Sequence, residues 1–465
     1  MSNLPTQIWK TNDPPSDREI IPDKPDLERA SPETIAQYIE DIPSNDAAML
    51  IGSLDPAKGA KVAEALDPQT AARIFSNIDA ETAGIIMAVM NAPEASMVLE
   101  AMDPDDRVDL LEHVTVPLHD ELLREMAPLQ AAETRHLEQY PKDTAGGIMT
   151  TQVTALFEYL TVENAVTLLR RLSEELEQMF YVYVVDRRQH LVGVLSMRDL
   201  ILARPERRLR DIMIPTVRSV PVTMDQEHVA RLMQKNGYLA MPVVDAENKL
   251  VGLITVDDVV DVIQQEATED VQRMFGAGAE ERLTSPWHFK FKKRIVWLEV
   301  NLGTAFLAAA VVGLFEKTIA LFPILAAYQT VVSGMGGNGG AQAMAVCIRG
   351  IALGEVNKRQ LRALFLREAL VGACSGLVVG LTTWVIIYIT HAQENGLKIG
   401  LIVFLALLFN HINACITGVA VPFVMKKLGF DPAQSATIFA TTFTDCGGFF
   451  VTLGLATLLH RAGFL

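Results

Sequence analysis

Cysteine is scarce in this 465-residue chain, and the little there is lies where most cysteine chemistry is excluded. The four cysteines, Cys347, Cys374, Cys415 and Cys446, fall in apolar stretches with no C-x-x-C spacing. Neither a disulfide framework nor a thiolate zinc site is expected of them. No apolar run follows Met1, so no secretory leader is expected and the first 290 residues should stay in the cytoplasm. Basic charge is missing from one part of the chain. Residues 288–465 carry 14 Lys and Arg against 7 Asp and Glu, which leaves 26 and 49 for residues 1–287, or net charges of +7 and −23. So acidic a segment argues against nucleic acid as a partner and for divalent cations. The apolar spans also lack the clustered His, Cys or paired acids of an intramembrane enzyme. His411, beside Asn410, stands alone, and no enzymatic activity is expected.

What is present after residue 288 is apolar length. Phe289-Lys-Phe-Lys-Lys-Arg294 marks a water–lipid boundary, and five spans follow at about 295–315, 318–349, 363–390, 399–424 and 434–460. With five crossings and the N-terminus inside, the basic clusters at Lys290–Arg294, Lys358–Arg362 and Lys426-Lys427 all share one side. The second span is too long for a plain crossing and contains Pro323 and Gly-Met-Gly-Gly-Asn-Gly-Gly at 334–340, with Asn338 as an amide ligand. The last span holds Asp445 near its midpoint, among Thr441, Thr442 and Thr444. An acid at that depth costs roughly 2.5–3.5 kcal/mol and normally faces a wet interior. A buried Asp bonded to a neighbouring helix is the alternative to a cation path, and the path is favoured.

Before the membrane the chain repeats itself twice over. Segments opening at Asp55, Asp67, Asp79, Asn91, Asp103 and Thr115 recur every twelve residues, often with Pro next. That is an N-cap followed by Pro at the first helical position. Val62, Ile74, Ile86, Val98, Leu110 and Leu122 take the eighth place and form an apolar stripe. Helices so short must stack into a superhelix. A second repeat, offset by 59 residues, pairs Tyr183–Asp186 and Leu191–Asp199 with Pro242–Asp245 and Leu250–Asp258. Each copy has short strands, a Gly-x-x-Ser/Thr-x-x-Asp signature and a helix. This resembles a tandem pair of cystathionine-β-synthase (CBS) domains, and the resemblance implies adenosine-nucleotide contacts, ATP above all, at Ser196 with Asp199 and Thr255 with Asp258. From Asp257 to Asp270, Asp258 with Asp261 and Glu266 with Glu269 share helix faces. Carboxylates held together repel, and a hard divalent cation relieves the repulsion.

Taken together, the acidic helical repeat, the CBS pair, the Glu-Ala-Thr-Glu-Asp stretch at 266–270, Gly-Met-Gly-Gly-Asn-Gly-Gly, Phe430-Asp-Pro-Ala433 and Thr441–Asp445 resemble the MgtE magnesium channels. The resemblance implies a multi-domain integral membrane protein. After a tail over 1–27 that its Pro, Asp and Lys content marks as disordered, the parts are an all-α superhelical N-domain (28–140), CBS domains at 141–205 and 206–265, a long connecting or plug helix (266–293), and a five-helix membrane domain (294–465). It further implies a homodimer in the lipid of the cell membrane that conducts Mg²⁺ through a pore between subunits. Asp445 is then the pore ligand, with Asn338, Thr441 and Asp431 as possible neighbours along the path. Regulatory Mg²⁺ sites map onto Asp225, Glu227, Asp258, Asp261, Glu266, Glu269 and Asp270, with Asp106 and Asp109 from the N-domain. Two positions depart from the pattern: Gly237 stands where a regulatory carboxylate is expected, and Thr437 where an Asn is expected. Other divalent ions such as Co²⁺, or a membrane-anchored adenine-nucleotide sensor, are the competing readings.

Overall fold

The computed structural model describes residues 30–172, 181–279, 281–283, 285–355, 361–391, 396–434 and 436–464. The tail expected over 1–27 lies outside them. The chain divides into two compact units, Met1–Val262 and Ile263–Leu465.

The first unit opens with short helices: α1 (Pro32–Glu40), α2 (Ser44–Gly52), α3 (Pro56–Glu64), α4 (Pro68–Phe75), α5 (Ala80–Met87), α6 (Ala92–Ala101), α7 (Pro104–Leu111), α8 (Val116–Glu125) and α9 (Pro128–Leu137). The twelve-residue period is visible in their caps. Asp55 accepts from Ala57 N, Asp67 from Gln69 N and Thr70 N, and Asp79 from Thr82 N, at 3.0–3.2 Å. Each helix packs mainly on the next but one, as in α2 on α4 on α6 on α8 and α1 on α3 on α5 on α7 on α9. The eighth-place residues Val62, Ile74, Ile86, Val98, Leu110 and Leu122 fill the space between these two rows. No single helix buries enough to stand alone, so the row is the folding unit.

Two small α/β modules follow. The first has β1 (Ala155–Phe157), α10 (Val162–Leu172), β2 (Tyr181–Val185), β3 (Leu191–Ser196) and α11 (Met197–Leu202). The second has β4 (Val220–Pro221), α12 (Gln226–Asn236), β5 (Ala240–Val244), β6 (Leu250–Thr255) and α13 (Val256–Met274). In each, a parallel pair is followed by an antiparallel one, with the same irregularity at Val184/Val185 and Val243/Val244. The turns match as well, with Gln189 and Asn248 at φ of 67° and 64°. Leu191 N donates to Asn248 O and Leu250 N to Gln189 O, so the modules join through a pseudo-twofold exchange. Gly237 ends α12 in the left-handed conformation at φ 65°, which explains why a non-carboxylate occupies that place.

The connecting segment expected over 266–293 is divided between two helices. α13 runs on from the second module to Met274, and the chain then turns at Gly276, φ 76°. The basic residues 290–294 belong to the first turns of α14 (Trp287–Gly313). The second unit continues with α15 (Glu316–Leu321), α16 (Ile324–Ala352), α17 (Leu361–Thr390), α18 (Gly396–Leu428) and α19 (Ala436–Arg461). The over-long second span is broken at Pro323, which separates α15 from α16. Among the described residues, four helices, α14, α17, α18 and α19, are long and apolar enough to cross a membrane. α16 has the length, at 29 residues, but its glycine and amide content lowers its hydropathy, and it packs against α18 and α19. α17 meets α18 along Gly372, Gly376 and Gly380. A Cβ on Gly372 would lie 2.6 Å from His411 O, so only glycine permits that approach.

Candidate functional site

The candidate residues fall in both units. In the first unit, α7 meets the start of α13. Val108, Leu137, Val259 and Val262 share one core, which fixes these helices to each other. Arg107 is buried and donates to Leu99 O, Met102 O and Thr134 Oγ1, locking α7 into its own domain. The acids beside it then face those of α13. Burial raises the Asp106 carboxyl to about 6, and Asp103, Asp257 and Asp261 add to the rise against the hydrogen bond from Ser76. Burial likewise takes Asp258 to about 7, with Asp257 and Asp106 pushing the same way and Thr255 opposing. Asp109 rises to about 7, chiefly by burial and then by Glu112 and Asp106. Its side chain keeps exposed surface, so solvent screening weakens that shift. Asp261 is raised as well, by burial and Asp257.

The sequence reading missed Asp105, which belongs to the same group. Its Oδ1 is buried with no hydrogen-bond partner, and burial together with Asp258, Asp106 and Asp103 raises its carboxyl well above the carboxylate range. Four Asp within Asp103–Asp109 were the available signal. Among the described residues, no three His, Cys, Asp or Glu converge closely enough to hold a bare ion. The cluster suits a cation that keeps its water, as Mg²⁺ does.

The remaining regulatory candidates are placed elsewhere in their units. Asp225 caps α12 by accepting from His228 N at 3.2 Å, and Glu227 pairs with Arg231. Glu269 pairs with Arg273, which also reaches Asp431, while Glu266 and Asp270 are half-buried on the same helix. The nucleotide signatures superpose in geometry. Ser196 Oγ donates to Asp199 Oδ2 and Thr255 Oγ1 to Asp258 Oδ2, each at 2.6 Å. Asp258 therefore belongs both to its helix start and to the acidic face.

In the second unit, Asp445 accepts a hydrogen bond from Ser333 Oγ of α16, a partner that the sequence reading did not name. It lies about 14 Å into α19 at 1.5 Å per residue. Thr441 Oγ1 is turned onto its own helix, bonding Thr437 O at 2.9 Å, and Thr441 O accepts from Thr444 Oγ1. Asn338 is not brought to Asp445; it lines a cavity with His411 and Glu368. Asp431 caps the approach to α19, accepting from Ala433 N at 2.8 Å, and pairs with Arg273. Thr437 Oγ1 donates to Met274 O at 2.6 Å. Arg273, Met274 and Thr437 thus fasten the end of α13 to the start of α19. Between α16, α18 and α19, Asn410 Nδ2 donates to Val332 O at 2.9 Å, while its Oδ1 is buried without a partner.

Family models match along most of this chain. An MgtE intracellular N domain matches residues 42–143, CBS domains match 145–206 and 209–265, and the MgtE divalent cation transporter domain matches 329–455. The magnesium transporter MgtE of Thermus thermophilus is 36% identical over 371 residues, covering 77% of this chain and 80% of that one. The magnesium transporter MgtE of Bacillus subtilis is 34% identical over 353 residues, covering 76% and 78%. A solved cytosolic domain of the Mg²⁺ channel MgtE in complex with ATP is 36% identical, covers 51% of this chain and 92% of that one, and has a TM-score of 0.38.

Proposed function

Because the chain belongs to the MgtE family of divalent cation transporters, we propose that it conducts Mg²⁺ across the cell membrane as a homodimer and is closed by cytosolic Mg²⁺. The observation that carries this reading is Asp445, an acid midway along a membrane-length helix, bonded to Ser333 of a second helix. Two copies facing across a dimer axis make a site of charge −2 that one divalent ion neutralises. Mg²⁺ sheds water reluctantly, so the carboxylates hold it through its hydration shell.

Gating follows from the α7–α13 acids. Without a cation, Asp105, Asp106, Asp109, Asp258 and Asp261 are costly to ionise together, first because they are buried and then because they repel one another. Bound Mg²⁺ relieves it and favours the state in which α13 is held. The far end of α13 bears Arg273 and Met274, the residues tied to Asp431 and Thr437 at the start of α19. The permeant ion therefore biases its own pore by population shift. ATP on the CBS pair, at Ser196/Asp199 and Thr255/Asp258, tunes the same equilibrium by binding one state better.

Flux into liposomes holding the full chain, compared for Mg²⁺, Co²⁺, Mn²⁺ and Ni²⁺, tests the assignment. Mg²⁺ flux that falls as Mg²⁺ rises to millimolar on the cytosolic face is expected. Flux of Co²⁺ with none of Mg²⁺ would overturn it in favour of another divalent cation.

A further inference from the structure

A second polar space opens along the membrane helices of one subunit. α16, α17 and α18 line an open cavity of 430 Å³ whose polar lining is Asn338, Gln342, Glu368, Ser375, His411 and Cys415, with Asn338 and Gln342 at its exposed side. A neighbouring cavity of 340 Å³ shares Glu368 with it and opens past Arg367 to Glu355, where α16 ends. Glu368 thus stands at the junction of the two. It lies about 10 Å into the 30-residue α17 at 1.5 Å per residue, two turns past the helix start. It lines one cavity with Cys347 of α16 and the other with Cys415 of α18.

The lining groups are unspent. Among the described residues, no hydrogen bond or ion pair engages the Glu368 carboxylate, the Asn338 amide or the Gln342 amide, and Arg367 does not pair with Glu368. His411 is buried and bonds Leu407 O at 2.9 Å through Nδ1. With Nδ1–H donating there, Nε2 is left as an acceptor. An ionised carboxylate at membrane depth is costly unless a cation or water accompanies it. Six waters occupy roughly 180 Å³ at about 30 Å³ each, so a fully hydrated ion fits the cavity of 430 Å³ with room to spare. A bare ion does not suit it, since no three His, Cys, Asp or Glu among the described residues converge closely enough.

We propose that this cavity is a second binding site for a hydrated divalent cation, one in each subunit, held by Glu368 with the amide oxygens of Asn338 and Gln342 and His411 Nε2. It is separate from the Asp445 site and does not depend on it: Asp445 pairs with Ser333 and lines neither cavity.

Mn²⁺ binding to the purified full chain tests this, counted by the loss of the free-Mn²⁺ paramagnetic signal. Glu368→Gln should remove one Mn²⁺ per subunit. Asp445→Asn should remove one per two subunits, and the double variant should lose the sum. Glu368→Asp should keep the ion, with affinity lowered several-fold. Equal counts for wild type and Glu368→Gln would overturn the proposal, as would a double variant that loses no more than Asp445→Asn alone. Should Glu368→Gln fail to fold, Gln342→Ala, at an exposed lining position, should weaken the same Mn²⁺ several-fold, and unchanged binding there would overturn it. A normal count for Asp445→Asn alone would refute the pore reading and leave this one standing.

Discussion

Replacing Asp106 with Asn removes one buried charge from the proposed sensor, together with its repulsion by Asp103, Asp257 and Asp261. The Asp106 carboxyl stands at about 6 against an ordinary 3.8, a rise of about two units. At 1.36 kcal/mol per unit this is roughly 3 kcal/mol of strain in the ionised form, an upper figure because part of the side chain reaches solvent. The folded value is raised, so the contribution to stability is fully present below about 3.8 and is lost as pH rises through about 6. Asn keeps an acceptor for Ser76 and carries no charge. At pH 8 without Mg²⁺, the variant cytoplasmic unit should therefore melt several degrees higher than wild type, at about 2–4 °C per kcal/mol for a unit of this size. At pH 4 the two should melt together. The rise in melting temperature on adding Mg²⁺ should be smaller in the variant, because one carboxylate that Mg²⁺ relieves is gone. Thermal unfolding followed by circular dichroism at both pH values measures all three. A variant that melts lower than wild type at pH 8 without Mg²⁺, or that responds to Mg²⁺ as wild type does, would refute the electrostatic sensor.

Arg273→Ala removes the shared partner of Glu269 and Asp431, so flux should persist at Mg²⁺ levels that close the wild type; an unchanged closing concentration in liposomes would move the coupling elsewhere. Calorimetry should show ATP binding that Asp258→Ala weakens several-fold together with the Mg²⁺ response, because this residue serves both the Thr255 pair and the acidic face. Gly372→Leu forces atoms against His411 O and should destabilise the membrane unit by at least the 1–3 kcal/mol typical of overpacking. A loss of monodisperse protein in detergent is the readout.

The twelve-residue helical period was legible because capping and burial act locally. Asp55, Asp67 and Asp79 cap within three residues, and the buried eighth place recurs without reference to the rest of the chain. The paired modules were legible because a 59-residue offset repeats both turn and strand chemistry, down to the left-handed Gln189 and Asn248. Partnerships across helices were not. Asp105 looks like any first-turn acid until α13 is packed over it through Val108 and Val259. Asn338 and Ser333 sit five residues apart on one helix, and about 100° per residue turns them to different faces. That rotation gives Ser333 to Asp445 and Asn338 to the Glu368 cavity, a division that a motif read as one block cannot express. The connecting segment over 266–293 was expected from resemblance alone, and it is divided where Gly276, at φ 76°, ends α13 and Pro286 precedes α14.

The central claim is that the ion crosses beside Asp445, and Mg²⁺ flux through wild type and Asp445→Asn at equal protein in liposomes tests it most directly. Asn preserves the size of the side chain and an acceptor for Ser333 Oγ but removes the charge. Folded protein with little Mg²⁺ flux is expected of Asp445→Asn, and partial flux of Asp445→Glu, where the charge survives in a shifted position. Equal flux through wild type and Asp445→Asn would show that Asp445 only packs against α16, and that the ion takes another path.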